Sequence, residues 1–378
     1  MNQPLLLHIV ERLEGLLGKL PATIQRPILS ELTPLKELFL QQRSPRFLLT
    51  GSIHKPTREI LETFFGSVEP VGDLEPIFRW QEASVRGQGT IAFLDARGAG
   101  DAAEKGIREE LKQQDADIIL FVHEGQNARR ARNAETANLI ACLGWTAAKV
   151  IGIALSESKS AKAETDVDEL AKHLNEIVKD EGRLLDVLHF GPPESHPAQA
   201  SRLGAILSRE LSNPARIEMI RISHDREAQH DVAQILVKST TAICAAIGAQ
   251  PIPLADLPIL TTLQLVMVSG IMYVSGRERS LRAATEFVAA MGANVGAGMV
   301  FREGARALLK FIPGWGNVVC GMIAGAGTYA IGRAATAFFL EGVSLAQARQ
   351  TYLKSRKKRQ QPALEGAKGP RTGRSPYK

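Results

Sequence analysis

The segment Arg46–Gly66, RFLLTGSIHKPTREILETFFG, reads as a strand, a glycine and a helix in that order. Arg46–Thr50 is short and apolar, Gly51 interrupts it, and from Thr57 to Phe65 the apolar residues Ile60, Leu61, Phe64 and Phe65 recur at helical spacing. The same alternation continues downstream. Thr90–Leu94 predicts a strand ending at Asp95, Asp117–Val122 (DIILFV) a continuous apolar strand, Lys149–Leu155 (KVIGIAL) another and Leu185–Phe190 a last one. Helices are predicted between them, one running through Cys142 and one over Val167–Val178. Unbroken apolar strands alternating with helices imply an α/β domain, a parallel sheet covered on both faces. The loop Gly191–Pro197 approaches its end, and the domain is assigned to residues 45–212.

A strand, a glycine and a helix are the setting of a phosphate loop, G-x-x-x-x-G-K-[ST]. There the glycines let backbone N–H groups close on phosphates, the lysine neutralises charge and the hydroxyl ligates Mg²⁺. Counted from Gly51, Pro56 stands at the second glycine, Thr57 at the lysine and Arg58 at the hydroxyl. Pro56 removes an N–H from the cradle, Thr57 brings no positive charge, and Arg58 cannot ligate a metal. A shifted register makes Lys55 the phosphate lysine and Thr57 the metal ligand. The plainer alternative is that Gly51 only turns the chain into a helix.

The surroundings add a resemblance. Gly51–Gly66 aligns without a gap on the G-x-x-x-x-G-K-S-S-L-I-N-A-L-F-G pattern of Era-like GTPases, with FLLTG before it and ETFFG after it as the matching parts. FLDARG (Phe93–Gly98) resembles their D-x-x-G motif, and DADIILFVHEG (Asp115–Gly125) their central strand. The lead-in PILSELTPLKELFLQQRSPRFLLTG (Pro27–Gly51) is similar to that of a bacterial GTP-binding family. So are Gln250–Glu278 and Phe311–Ala335, which resemble the helical domain of unknown function that follows the GTPase domain in that family.

The resemblance implies an α/β P-loop GTPase-like domain followed by an all-α domain, with GTP and Mg²⁺ as the family's cofactors. In the shifted register Gly51, Lys55 and Thr57 would hold the phosphates and metal, and carried over from the resemblance Asp95 would contact the metal through water and Gly98 would offer its N–H to the γ-phosphate. The guanine-reading N/T-K/Q-x-D motif falls on Leu155, Ser156, Glu157 and Ser158. Ser158 replaces the aspartate that pairs with the base, a contact that carries discrimination, and Ser156 replaces the residue that stacks on it. Two motifs overwritten at opposite ends of one ligand describe a pseudo-GTPase. The resemblance thus implies a scaffold or regulator that partners an intact GTPase relative or a second copy of itself. The alternative is a hydrolase with a reorganised loop using Lys55 and Asp95. His54 and His123 read as ordinary loop and strand-end residues.

Outside this domain, residues 1–44 predict short amphipathic helices broken at Pro21, Pro27 and Pro34. Residues 213–350 predict a hydrophobic helical domain in which Leu257–Gly276 carries no charge over twenty positions and Phe311–Gly332 none over twenty-two. Such lengths span a hydrocarbon core, and small residues four apart (Gly321/Gly325, Thr328/Gly332/Thr336) permit close helix contact. Membrane lipid is therefore an expected partner, and the cytoplasmic face of a membrane or the cytoplasm the expected location. A soluble helical core is the competing reading of the same stretches. The formal charge of +6 is concentrated at the end, where Lys354–Lys378 holds nine Lys/Arg and one acid. Residues 351–378 are expected to form a disordered basic tail, a solvated end more than an RNA contact. The folded part, net −2, offers no DNA-binding surface. Cys142, Cys244 and Cys320 are far apart, without a C-x-x-C pair, which suggests neither a disulfide framework nor a zinc site.

Overall fold

The computed structural model describes residues 25–26, 29–33, 41–70, 78–124, 129–156, 162–249, 256–292 and 315–367. The chain divides into two units, Gln42–Ala228 and Met1–Gln41 with Gln229–Lys378.

The first unit runs β1 (Arg46–Gly51), α1 (Thr57–Phe65), β2 (Val68–Pro70), β3 (Trp80–Val85), β4 (Gly89–Asp95), α2 (Asp101–Gln113), β5 (Ile118–Glu124), α3 (Arg129–Leu143), β6 (Lys149–Leu155), α4 (Lys162–Ile177), β7 (Leu184–Phe190), α5 (His196–Glu210) and α6 (Asn213–Ser223). Among the described residues, seven strands form one sheet in the order β2-β3-β4-β1-β5-β6-β7. Strands β4, β1, β5, β6 and β7 are mutually parallel, while β2 and β3 extend the sheet antiparallel beyond β4.

Alternation along each strand sorts the core into two layers. Phe47, Leu49, Phe93, Leu120, Val122 and Ile153 face α1, α5 and α6, whose Ile60, Phe64, Leu207 and Met219 meet them. Leu48, Leu94, Ile119, Phe121 and Val150 face α2, α3 and α4 through Ile107, Leu139, Cys142 and Leu174. Phe47 stacks on Phe65 at 5.3 Å between ring centroids, and Phe64 meets Phe190 at 5.2 Å. Burying each such ring contributes about 1.5–3 kcal/mol. The starts of β1 and β5 are tied by Arg43, whose guanidinium holds both Asp117 carboxylate oxygens at 2.6 Å, while Arg46 N donates to the same carboxylate at 2.9 Å. This pairing raises the Arg43 pKa above its ordinary value.

The central elements match the sequence reading, and the differences lie at the periphery. Strands β2 and β3 and helices α2 and α5 are additional to the elements expected from sequence, while α6 opens the stretch from residue 213 expected to be helical. Strand β3 (WQEASV) is amphipathic and half-exposed, and α2 carries Gly106 and few apolar residues.

The second unit contains α7 (Arg226–Gly248, whose first residues precede its boundary), α8 (Asp256–Val274), α9 (Leu281–Gly292), α10 (Trp315–Phe339) and α11 (Leu345–Ala367). The small residues of α10 form a seam against α7. A Cβ on Gly321 would lie 2.7 Å from Ala245 O, one on Gly325 3.0 Å from Ala245 Cβ, and one on Gly332 2.5 Å from Val237 Cγ2. Gln264 of α8 donates to Thr328 Oγ1 at 2.9 Å. From the segment 29–33, Leu32 packs with Ile243, Ile247, Leu260 and Leu263, and Glu31 accepts a 2.6 Å bond from Ser239. Most of the amphipathic helices expected in residues 1–44 lie outside the described residues.

Among the described residues one helix, Arg226–Gly248, is long and apolar enough to cross a membrane, and 56% of its apolar window is buried. The apolar stretch Leu260–Val274 is shorter. Cys142, Cys244 and Cys320 are buried and not disulfide-bonded, and burial pushes the Cys142 and Cys244 thiols up to about 12.

Helix α10 ends at a left-handed Gly342 (φ +73°), with Val343 N bonded back to Ala337 O at 3.2 Å. Helix α11 then starts in a capping box: Gln347 N donates to Ser344 Oγ at 3.3 Å, and Ser344 N to Gln347 Oε1 at 3.0 Å. The basic stretch expected to be disordered from residue 351 is helical to Ala367, and residues 368–378 lie outside the described residues. Arg359 stacks over the Tyr329 ring of α10 at 4.1 Å.

The seam makes a prediction. Gly321→Ala places a methyl group against backbone and should cost about 1–3 kcal/mol. Gly327→Ala, where a Cβ would meet nothing within 4 Å, should be neutral or stabilise by up to ~1 kcal/mol. Chemical denaturation of the two variants measures the contrast.

Candidate functional site

Successive connections leave β1 and β5 toward opposite sides of the sheet, so the carboxyl ends of these strands mark the switch point where α/β sheets place their ligands. The loop after β1 leans over the end of β5: Ser52 N donates to Val122 O at 2.8 Å and Lys55 N to Glu124 Oε1 at 3.2 Å. Gly51 is required there twice over. Its φ is +101°, and a Cβ would stand 2.0 Å from Val122 O.

Three of the residues singled out from sequence converge beside this loop. Asp95 ends β4, Thr57 opens α1, and Thr57 Oγ1 donates to Asp95 Oδ2 at 2.5 Å. Gly98 follows in a left-handed conformation (φ +67°), and a Cβ on it would meet Ile53 Cγ2 at 2.9 Å. Lys55 does not join them. Its ammonium pairs with Glu59 one turn along α1, on the surface.

The centre of the cluster is Arg97, which the sequence reading passed over. Its side chain is 4% exposed and that of Asp95 6%. Arg97 Nε donates to Asp95 Oδ1 at 2.9 Å and Nη2 to Asp95 Oδ2 at 2.7 Å, a bidentate pair, and Arg97 N adds a 3.0 Å bond to Oδ1. Nη1 donates to two loop carbonyls, Ser52 O at 3.1 Å and Lys55 O at 3.0 Å, and Nη2 also reaches Thr57 Oγ1 at 3.1 Å.

This arrangement has a definite chemical sense. An anion cradle directs N–H groups inward, whereas here the carbonyls of Ser52 and Lys55 point at an internal cation. A carboxylate offers about four acceptor positions, and Asp95 fills them with Thr57 Oγ1, Arg97 N, Nε and Nη2. No acceptor position is left for a metal-bound water. The residues as arranged do not fit Mg²⁺ and a nucleotide phosphate, because Arg97 supplies the positive charge at that point. Among the described residues no group of three or more His, Cys, Asp or Glu is placed to hold a metal ion.

No family model and no curated protein matches the chain.

Behind the cluster, Asn138 of α3 donates to Ala96 O at 3.0 Å and so anchors the segment between Asp95 and Arg97. His123 is buried at the end of β5, with Nδ1 3.3 Å from Glu135 Oε2, also on α3. His54 is exposed on the loop. At the end of β6, Ser156 Oγ lies 2.7 Å from His189 Nε2, while Glu157 and Ser158 are outside the described residues. In the sequence, FLDARG shows only an arginine two residues after a strand-end aspartate, which does not tell an enclosed side chain from an exposed one.

Removing one partner of a buried ion pair leaves the other uncompensated, at a cost of ~3–5 kcal/mol. Arg97→Met should lose that much stability in denaturant titrations. Arg97→Lys should recover only part of it, since a single ammonium cannot reproduce the planar fork.

Proposed function

We propose that the α/β unit is a degenerate GTPase-like domain whose nucleotide site is closed by its own arginine, and that the chain acts as a scaffold or regulator rather than a hydrolase. The observation that carries this reading is the Arg97 guanidinium bonded to Asp95, Thr57, Ser52 O and Lys55 O at the switch point. The parallel sheet, the glycine-led loop from β1 into α1, and Asp95 and Gly98 after β4 support descent from a phosphate-binding fold. The replacement of lysine by Thr57 and of the second glycine by Pro56 supports loss of its ligand.

A domain without nucleotide chemistry acts by binding. The partner this reading calls for is an intact relative of the same fold or a second copy. The apolar helices of the second unit support an association with membrane lipid on the cytoplasmic face.

The contact of Thr57 with Asp95 favours a second reading, a hydrolase in which Arg97 swings out and the loop reorganises around Lys55 and Mg²⁺. Calorimetric titration of the purified full chain with GTP, with and without Mg²⁺, separates the two. The scaffold reading expects no saturable heat at micromolar nucleotide. Saturable binding, with Mg²⁺-dependent phosphate release that Asp95→Asn abolishes, would establish the hydrolase instead.

A further inference from the structure

Helix α11 sorts its basic residues by type. Ala348 and Tyr352 are buried, and on the same side two of the helix's three arginines lie over rings. Arg359 lies over Tyr329 at 4.1 Å, and Arg356 lies over Tyr352 at 5.7 Å while donating to its hydroxyl at 3.2 Å. The opposite side presents Gln347, Gln350, Leu353, Lys354, Lys357 and Lys358, all exposed. Leu353 is 47% exposed and shares this side with Lys357 four residues on. Between Glu341 and Glu365 the sequence has no acid, so no carboxylate of the helix lies within a turn of the lysines.

We propose that this lysine face of α11 is a contact surface for anionic phospholipid headgroups, with Leu353 entering the headgroup boundary. The membrane association named above would then be peripheral and electrostatic. Lysines on flexible stems act as point charges that a diffuse layer of phosphate and carboxylate satisfies without fixed geometry. Single-stranded nucleic acid would call for an exposed aromatic platform, and the aromatic residue in this part of the helix, Tyr352, faces inward. The proposal does not depend on what the strand-end site binds.

The experiment is flotation of the full-length chain with vesicles of phosphatidylcholine alone and of phosphatidylcholine mixed with phosphatidylserine. The wild-type chain should float with the mixed vesicles at low salt and be released at high salt, as screening predicts. Lys354→Gln, Lys357→Gln and Lys358→Gln combined should lower the apparent affinity roughly a hundredfold, from about one kcal/mol per lysine at such a surface, while the circular dichroism and melting midpoint stay unchanged. Glu341→Gln, a charge change of the same sign as adding a base, should not lower it. Equal flotation with neutral vesicles, or a triple variant that still floats, would overturn the proposal. So would lysine-dependent retention on single-stranded RNA with no binding to mixed vesicles.

Discussion

A guanidinium removed from water must meet its donors with acceptors, and the strand-end region of the first unit is organised by that requirement. Arg97 supplies the donors, and the acceptors come from three places: the carboxylate at the end of β4, the carbonyls of the loop after β1, and the hydroxyl at the start of α1. The orientation of the loop backbone follows, since the peptide groups of Ser52 and Lys55 turn their oxygens toward the charge. Gly51 makes the turn sterically possible, and Asn138 holds the aspartate segment from behind. Each part is replaceable in isolation only at the expense of a buried, unsatisfied group.

The second unit meets a different constraint with different means. Its helices α8 and α10 carry one charge each, Asp256 and Arg333, and contact is gained by closeness, with glycine and alanine facing each other along α7 and α10. On the strongly charged α11, the ring faces of Tyr329 and Tyr352 receive arginines and the lysines are left outward. The tight turn at Gly342 and the cap at Ser344 set the antiparallel return that makes this sorting possible.

The central architecture was readable because its strands are continuous apolar runs, and a buried parallel strand has no other sequence. Helix Thr57–Phe65 and strand Lys149–Leu155 stand where periodicity and apolarity placed them. Strands β2 and β3 escaped notice because an edge hairpin mixes Gln, Glu and Ser with its apolar residues. Helix α5 begins in a stretch of Pro, Glu, Ser and His that reads as loop. At the site, comparison with a motif located Thr57, Asp95 and Gly98 but drew attention to what was missing. Arg97 was overlooked because an arginine near a strand end ordinarily faces solvent, and only the fold reveals that this one is enclosed. The basic stretch read as a tail because composition records its charge but not the tyrosines of α10 and α11 that anchor it.

The bond from Arg97 to Asp95 also joins two residues of one short segment, with only Ala96 between them. A counter-charge that belongs to the chain cannot be exchanged, diluted or hydrolysed. A site neutralised by a diffusible ion reports the supply of that ion, and its neighbouring loops take on two conditions, filled and empty. On the scaffold reading proposed above, a site neutralised from within is insensitive to supply, and a change of state in this unit would be imposed from outside, by a partner that binds its surface.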